Sequence, residues 1–267
     1  MRALVNEIQV HWREGGRGEA VLFVHGFPFN GAQWEGQIER LPQRWRYLAP
    51  DLRGFGETER GGGEGPLAMD LLADDLAAFL DSQEIERAVV CGLSMGGYIA
   101  LALWRWHRAR VRALVLCDTR AGADTAEAKE KRRALADRVR REGVGALAEV
   151  QLPLLLSAET RRERPGVVER VREMIERTPQ ETILRALAGL AERPDSTDLL
   201  PTITVPTLVL GGAEDAMTPP DELEALAAAI PGAHLQLIEG AGHLPNLENP
   251  VAFDRALVHF LEAIQGH

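Results

Sequence analysis

Six short apolar runs recur along the chain, each closed by a glycine, an aspartate or a polar cluster: Ala20–Val24, Tyr47–Ala49, Ala88–Leu93, Ala113–Cys117, Thr207–Leu210 and Leu235–Ile238. They are continuous rather than alternating, which is the pattern of strands covered on both faces. Between most of them, apolar residues return at helical spacing. Met69–Leu80 aligns Leu72, Leu76, Phe79 and Leu80; Pro220–Ile230 opens on a proline and stops before Pro231-Gly232. Val251–Ile264 repeats Phe253, Leu257, Phe260, Leu261 and Ile264. Strands alternating with helices predict an α/β chain: a mostly parallel central sheet with helices on both faces. Leu4–Trp12 alternates instead and runs toward Gly15-Gly16, which predicts an antiparallel edge strand.

One connection is too long for a simple crossover. Thr119 to Pro206 spans 88 residues, where a crossover needs a dozen or so beyond its helix. The segment reads as helical: Asp124 to about Glu142 with Glu127 completing a capping box, then Val144–Val150, Pro165–Arg177 and Glu181–Ala191. An insertion of this size predicts a cap over the carboxyl ends of the strands, where open α/β sheets bind ligands. The expected division is a core of 1–118 and 207–267 with a helical cap of 119–206. Leu154, Leu155, Met174 and Ile175 are expected to roof a largely apolar pocket.

Composition removes several classes of function. A chain of 267 residues, 45% hydrophobic and 26% charged, is neither disordered nor a disulfide scaffold. Its net charge of −10, with no Lys/Arg stripe, argues against a nucleic-acid partner. No apolar run reaches the roughly 20 residues needed to span a bilayer, and MRALVNEIQVHWREGG lacks the apolar core of a signal peptide. A cytoplasmic protein without a membrane partner is therefore expected. Cys91 and Cys117 lie in apolar runs and read as small buried hydrophobes.

The sharpest chemical signal is Gly92-Leu93-Ser94-Met95-Gly96, placed between a strand and a helix. With four serines and 26 glycines in the chain, G-x-S-x-G arises by chance about 0.04 times. Such a turn holds a serine exposed on a strained elbow. A hydroxyl needs a base and an acid that orients the base. His11, His107, His234, His259 and His267 lie in strands, helices or at the terminus, and His25 ends a strand. His243 stands in the Gly-rich loop Glu239–His243, which can swing over the sheet, and is the expected base. Asp215, closing Gly211-Gly212-Ala213-Glu214-Asp215, is the expected acid; Glu214 and Asp118 are the alternatives. The backbone N–H groups of Met95 and Phe27 are expected to form an oxyanion hole, with His25 bracing the loop that carries Phe27. Gly54-Phe55-Gly56-Glu57-Thr58-Glu59 lacks the third glycine of a dinucleotide site.

HGFPFN, DLRGFGET, GLSMGGY, GGAEDAMTPP and GAGHLPNLENP, in this order and spacing, resemble the α/β-hydrolase superfamily over nearly the whole chain. CDTRAGADTAEAKEKR and AERPDSTDLLP make it look most like bacterial carboxylesterases related to 3-oxoadipate enol-lactonases. The resemblance implies the α/β-hydrolase fold and hydrolysis of small, short-chain esters. It assigns Ser94, Asp215 and His243 to a triad and Phe27 and Met95 to the oxyanion hole, with no cofactor and no metal. A lactonase is the alternative, and a slow-turnover receptor of the same fold is the reading from another class. Serine at the elbow argues against the alkyl-enzyme chemistry of the aspartate-nucleophile dehalogenases and epoxide hydrolases. An acidic chain without a cationic funnel disfavours highly anionic substrates, although Arg120 or another cap arginine offers a partner for a carboxylate.

Overall fold

The computed structural model describes residues 1–265; His267 lies outside the described residues. The strands are β1 (Arg2–Val5), β2 (Ile8–Gly16), β3 (Ala20–Val24), β4 (Arg46–Pro50), β5 (Ala88–Leu93), β6 (Val111–Cys117), β7 (Thr207–Gly212) and β8 (His234–Ile238). They form one sheet in the order β1-β2-β4-β3-β5-β6-β7-β8. β1–β2 and β2–β4 pair antiparallel; every other neighbouring pair is parallel. Helices α1 (Glu35–Arg40), α2 (Met69–Ser82) and α3 (Met95–His107) follow in the first half. Then come α4 (Ala126–Glu142), α5 (Gly145–Leu155), α6 (Ala158–Glu163), α7 (Pro165–Glu176) and α8 (Gln180–Glu192). The chain ends with α9 (Pro220–Ala229), α10 (Pro245–Glu248) and α11 (Pro250–Gln265). Among the described residues no helix is long and apolar enough to cross a membrane.

Every residue of β3, β5 and β7 is buried. Successive side chains of a strand point to opposite faces, so both faces of the central sheet are covered, as the continuous apolar runs require. α2 packs on α3, which lies against β5 and β6, while α1 packs on α11. Phe23 of β3 stacks on Trp34 with centroids 4.7 Å apart, and Trp34 in turn meets Phe253 of α11. Packing therefore locks the strand ends that carry the loops described below.

Two expectations need correction. The alternating segment Leu4–Trp12 is a hairpin, not one strand. Asn6 and Glu7 adopt φ of 44° and 64°, the left-handed pair of a two-residue turn whose twist suits flanking strands. Val5 and Ile8 then face each other across it. The first helix of the insertion has no capping box at Asp124. Thr125 is its N-cap, accepting from the N–H of Ala128 at 3.2 Å. Asp124 turns inward to ion pairs with Arg132 and Arg193, while Glu127 pairs with Lys131 at the surface.

α4 to α8 occupy the connection from β6 to β7, packing α4 on α8 and on α5, and α7 on α5 and α6. The bundle is fastened to the rest of the chain by polar contacts. The Thr178 hydroxyl donates to the carbonyl of Pro28 at 2.6 Å and that of Thr182 to the carbonyl of Gly54 at 2.8 Å. The Leu67 N–H donates to the carbonyl of Arg185 at 3.0 Å. At Gly189 a Cβ would sit 1.9 Å from the Leu67 carbonyl oxygen, so helix α8 lies directly on that loop.

Candidate active site

Ser94 sits between β5 and α3 with φ of 56° and ψ of −113°, a conformation costing a non-glycine residue about 1–3 kcal/mol. The surrounding structure holds it there. The Ser94 N–H donates to the carbonyl of Cys117 at 2.8 Å, and the Thr119 hydroxyl donates to the Ser94 carbonyl at 2.9 Å. A Cβ at Gly92 would lie 2.2 Å from the Gly96 carbonyl oxygen, and one at Gly96 would lie 2.2 Å from that of Val24. Both glycines of G-x-S-x-G are thus required by backbone crowding.

His243 follows β8. Its N–H donates to the carbonyl of Leu155 at 3.0 Å, and its Nδ1 lies 2.7 Å from Oδ2 of Asp215, which follows β7. Both residues are almost fully buried. Burial raises the Asp215 carboxyl, but the His243 imidazole and the N–H groups of Thr218 and Met217 outweigh it and hold the group below the usual carboxylate range. Nδ1 is therefore the anchored nitrogen. Nε2, buried, has no hydrogen-bond partner among the described residues, and His243 shares a cavity wall with Ser94. Glu214 is exposed and Asp118 is fully buried.

Ser94, His243, Phe27 and Met95 line one cavity of about 660 Å³, within the range of small-molecule sites. The Phe27 loop is fixed by His25, whose Nδ1–H donates to the Gly26 carbonyl at 3.0 Å while Nε2 accepts from the Leu52 N–H at 3.0 Å. Burial pushes this imidazole down to about 4, so it is neutral and braces the loop. Gly56 of DLRGFGET makes room for Asp51, while Gly54 lies against Thr182 of the insertion. Asp51 accepts from the N–H groups of Gly31 and Glu57, and a Cβ on Gly56, at φ of 55°, would meet its Oδ2 at 2.3 Å.

The insertion lines the cavity differently from the expectation. Leu154 is on the wall, but Leu155, Met174 and Ile175 are buried in the packing beneath it. α4 supplies much of the wall through Ala128, Leu135 and the charged Lys131, Arg132 and Arg138. The lining is therefore partly cationic, and each cation has an acid beside it. Arg120 pairs with Glu222 at 2.9 Å, Lys131 with Glu127 at 2.7 Å, and Arg138 with Glu142 at 2.8 Å. Arg132 pairs with Asp124.

One residue that the sequence reading passed over holds the loop of His243. Glu248, fully buried, accepts from the N–H of Gly242 at 2.9 Å, of Leu244 at 3.3 Å and of Ser157 at 2.8 Å. It ties both neighbours of the histidine to the start of α6. Its only sequence signal was its place in GAGHLPNLENP.

A family model described as the alpha/beta hydrolase fold matches residues 19–250. A thermophilic esterase from Thermogutta terrifontis, solved with malate bound, superposes with a TM-score of 0.94 at 44% identity, covering 99% of this chain and 98% of that one. In sequence, 3-oxoadipate enol-lactonase 2 of Acinetobacter baylyi is 29% identical over 89% of this chain and 86% of its own. A pimeloyl-[acyl-carrier protein] methyl ester esterase of Neisseria meningitidis is 30% identical over 91% of this chain and 94% of its own. The chain belongs to the α/β-hydrolase fold family and is an ester hydrolase.

Proposed function

We propose that this chain is a serine carboxylesterase for small, short-chain, neutral esters, working through an acyl-enzyme. The observation that carries the reading is the shared cavity: Ser94 on its strained elbow and the Asp215-anchored imidazole of His243 line one chamber. In the first step Nε2 of His243 takes the Ser94 proton as Oγ attacks the ester carbonyl. The N–H groups of Phe27 and Met95 hold the oxyanion. The imidazolium then protonates the departing alcohol, leaving the acyl group on Oγ. In the second step the same nitrogen takes a proton from water as it attacks the acyl carbon, and returns that proton to Oγ as the acyl bond breaks and the acid leaves. Asp215 keeps Nδ1 protonated and stabilises the imidazolium between transfers.

Residues 119–206 act in this reading as the lid that roofs the cavity and shapes the acyl pocket. The paired cations of the wall support a neutral substrate over a highly anionic one, because their charge is already met by acids of the same surface. Hydrolysis of an enol-lactone carrying a carboxylate is the second reading, supported by the same four cations should a substrate displace their partners.

Ser94→Ala is the test. Its turnover of p-nitrophenyl butyrate should fall at least about a thousandfold with unchanged folding. Wild-type enzyme should give sustained turnover and an acyl or fluorophosphonate adduct on Ser94 by intact mass. Near-full activity in Ser94→Ala overturns the mechanism, and rapid labelling without turnover across an ester and lactone panel favours a receptor.

A further inference from the structure

Asp118, at the end of β6, is a fully buried carboxyl that the two-step mechanism does not use. It is held at φ of 44°, left-handed for a side-chain-bearing residue, with its N–H donating to the Leu210 carbonyl at 2.9 Å. Oδ1 accepts the Gly212 N–H at 2.8 Å, and Oδ2, buried, has no hydrogen-bond partner among the described residues. An oxygen of Asp118, an oxygen of Asp215 and a ring nitrogen of His243 all lie within 4.8 Å of one another. Oδ1 caps the buried Gly212 N–H at the end of β7, but that role leaves Oδ2 unused, set against a second carboxyl and an imidazole.

We propose that Asp118 is a reserve positioning residue, a second carboxyl seated to accept the Nδ1–H of His243 when Asp215 is absent. Burial, the neighbouring charge of Asp215 and the side-chain hydrogen bond that the protonated acid can donate to it raise its proton affinity against the pull of the Gly212 N–H. The ionisable groups that face it are Asp215 from the β7 turn, His243 from the β8 loop and Cys117 on its own strand, itself against Cys91 of β5. Removing Asp215 removes both its charge and its hydrogen bond, leaving burial as the main cause. The carboxyl can then lose its proton to solvent and hold the imidazole in the productive tautomer.

The inference rests on the esterase reading above, and a double-mutant cycle tests it apart from that reading. Turnover of p-nitrophenyl butyrate is measured for Asp215→Ala, Asp118→Asn, the double variant and Ser94→Ala. Asp118→Asn should cost at least about tenfold more in the Asp215→Ala background than in the native one. Because burial still opposes ionisation of Asp118, the Asp215→Ala pH–rate profile should be displaced to higher pH relative to wild type. Equal effects of Asp118→Asn in both backgrounds overturn the proposal. Should the double variant not fold, the single variant decides: a profile parallel to wild type overturns it. Retained activity in Ser94→Ala would instead sink the esterase reading, whereas an inactive Ser94→Ala with no coupling sinks only the reserve carboxyl.

Discussion

Mild acid should weaken this fold through one buried imidazole. Unfolded, His25 titrates near the ordinary 6.5; folded, burial lowers it to about 4. Its Nε2 accepts the Leu52 N–H, so a proton placed there would face another donor. A folded value below the unfolded one means that the unfolded chain binds more protons between the two. The contribution is present above 6.5 and is lost as pH falls toward 4. Linkage puts the loss from pH 7 at about 2 kcal/mol by pH 5 and about 3 kcal/mol by pH 4. Asp118 acts in the opposite sense: its raised proton affinity makes folding less favourable at neutral pH and is relieved by acid. The two effects must therefore be separated by a variant. His25→Gln keeps an acceptor for Leu52 but does not titrate, while Asp118 stays the same in both proteins. Urea unfolding at pH 7 and pH 5 should show the stability gap between wild type and His25→Gln narrowing by about 2 kcal/mol. A gap that stays constant, with unchanged denaturant slopes, refutes the assignment of that proton to His25.

Glu248→Ala would strand three buried N–H groups and should cost about 3 kcal/mol or more in urea unfolding. Glu248→Gln, which keeps one carbonyl oxygen, should recover part of that loss; two variants as stable as wild type refute the clamp. Cys91 and Cys117 are buried free thiols with sulfurs 3.9 Å apart, so Ellman's reagent should find no reactive thiol in the native protein and both after denaturation. Rapid reaction in the native state would contradict their burial.

The sequence made the sheet legible because its strands end at charges and glycines that the fold also needs. Ala20–Val24 and Ala88–Leu93 coincide with β3 and β5 to the residue. The hairpin was hidden because its turn, Asn6-Glu7, contains no glycine and alternation resumes at Ile8. α1, α6 and α10 span six, six and four residues, less than the two turns that a periodicity needs to emerge. Asp124 resembled a cap from its neighbours alone; its partner Arg193, 69 residues away, turns it inward. The pocket wall failed for the same reason. Helical stripes reveal which residues are apolar but not which of them reach the cavity: Leu154 lines it, while its neighbour Leu155, with Met174 and Ile175, went into the packing.

The candidate site was legible where its chemistry depends on local backbone and illegible where it depends on donors brought from elsewhere. Gly92 and Gly96 mark the elbow because the crowding they relieve involves their own turn and the adjacent strand. The choice among Glu214, Asp215 and Asp118 has no such local marker. Glu214 is exposed, and the two buried acids differ in what points at them. Asp215 receives the imidazole and the N–H groups of Met217 and Thr218, while Asp118 receives the N–H of Gly212 alone. Each donor stabilises the ionised form, so when two buried carboxyls compete for one negative charge it settles on Asp215. The charge on Asp215 in turn raises the proton affinity of Asp118. The geometry that makes one acid the partner of His243 thus makes the other the harder of the two to ionise.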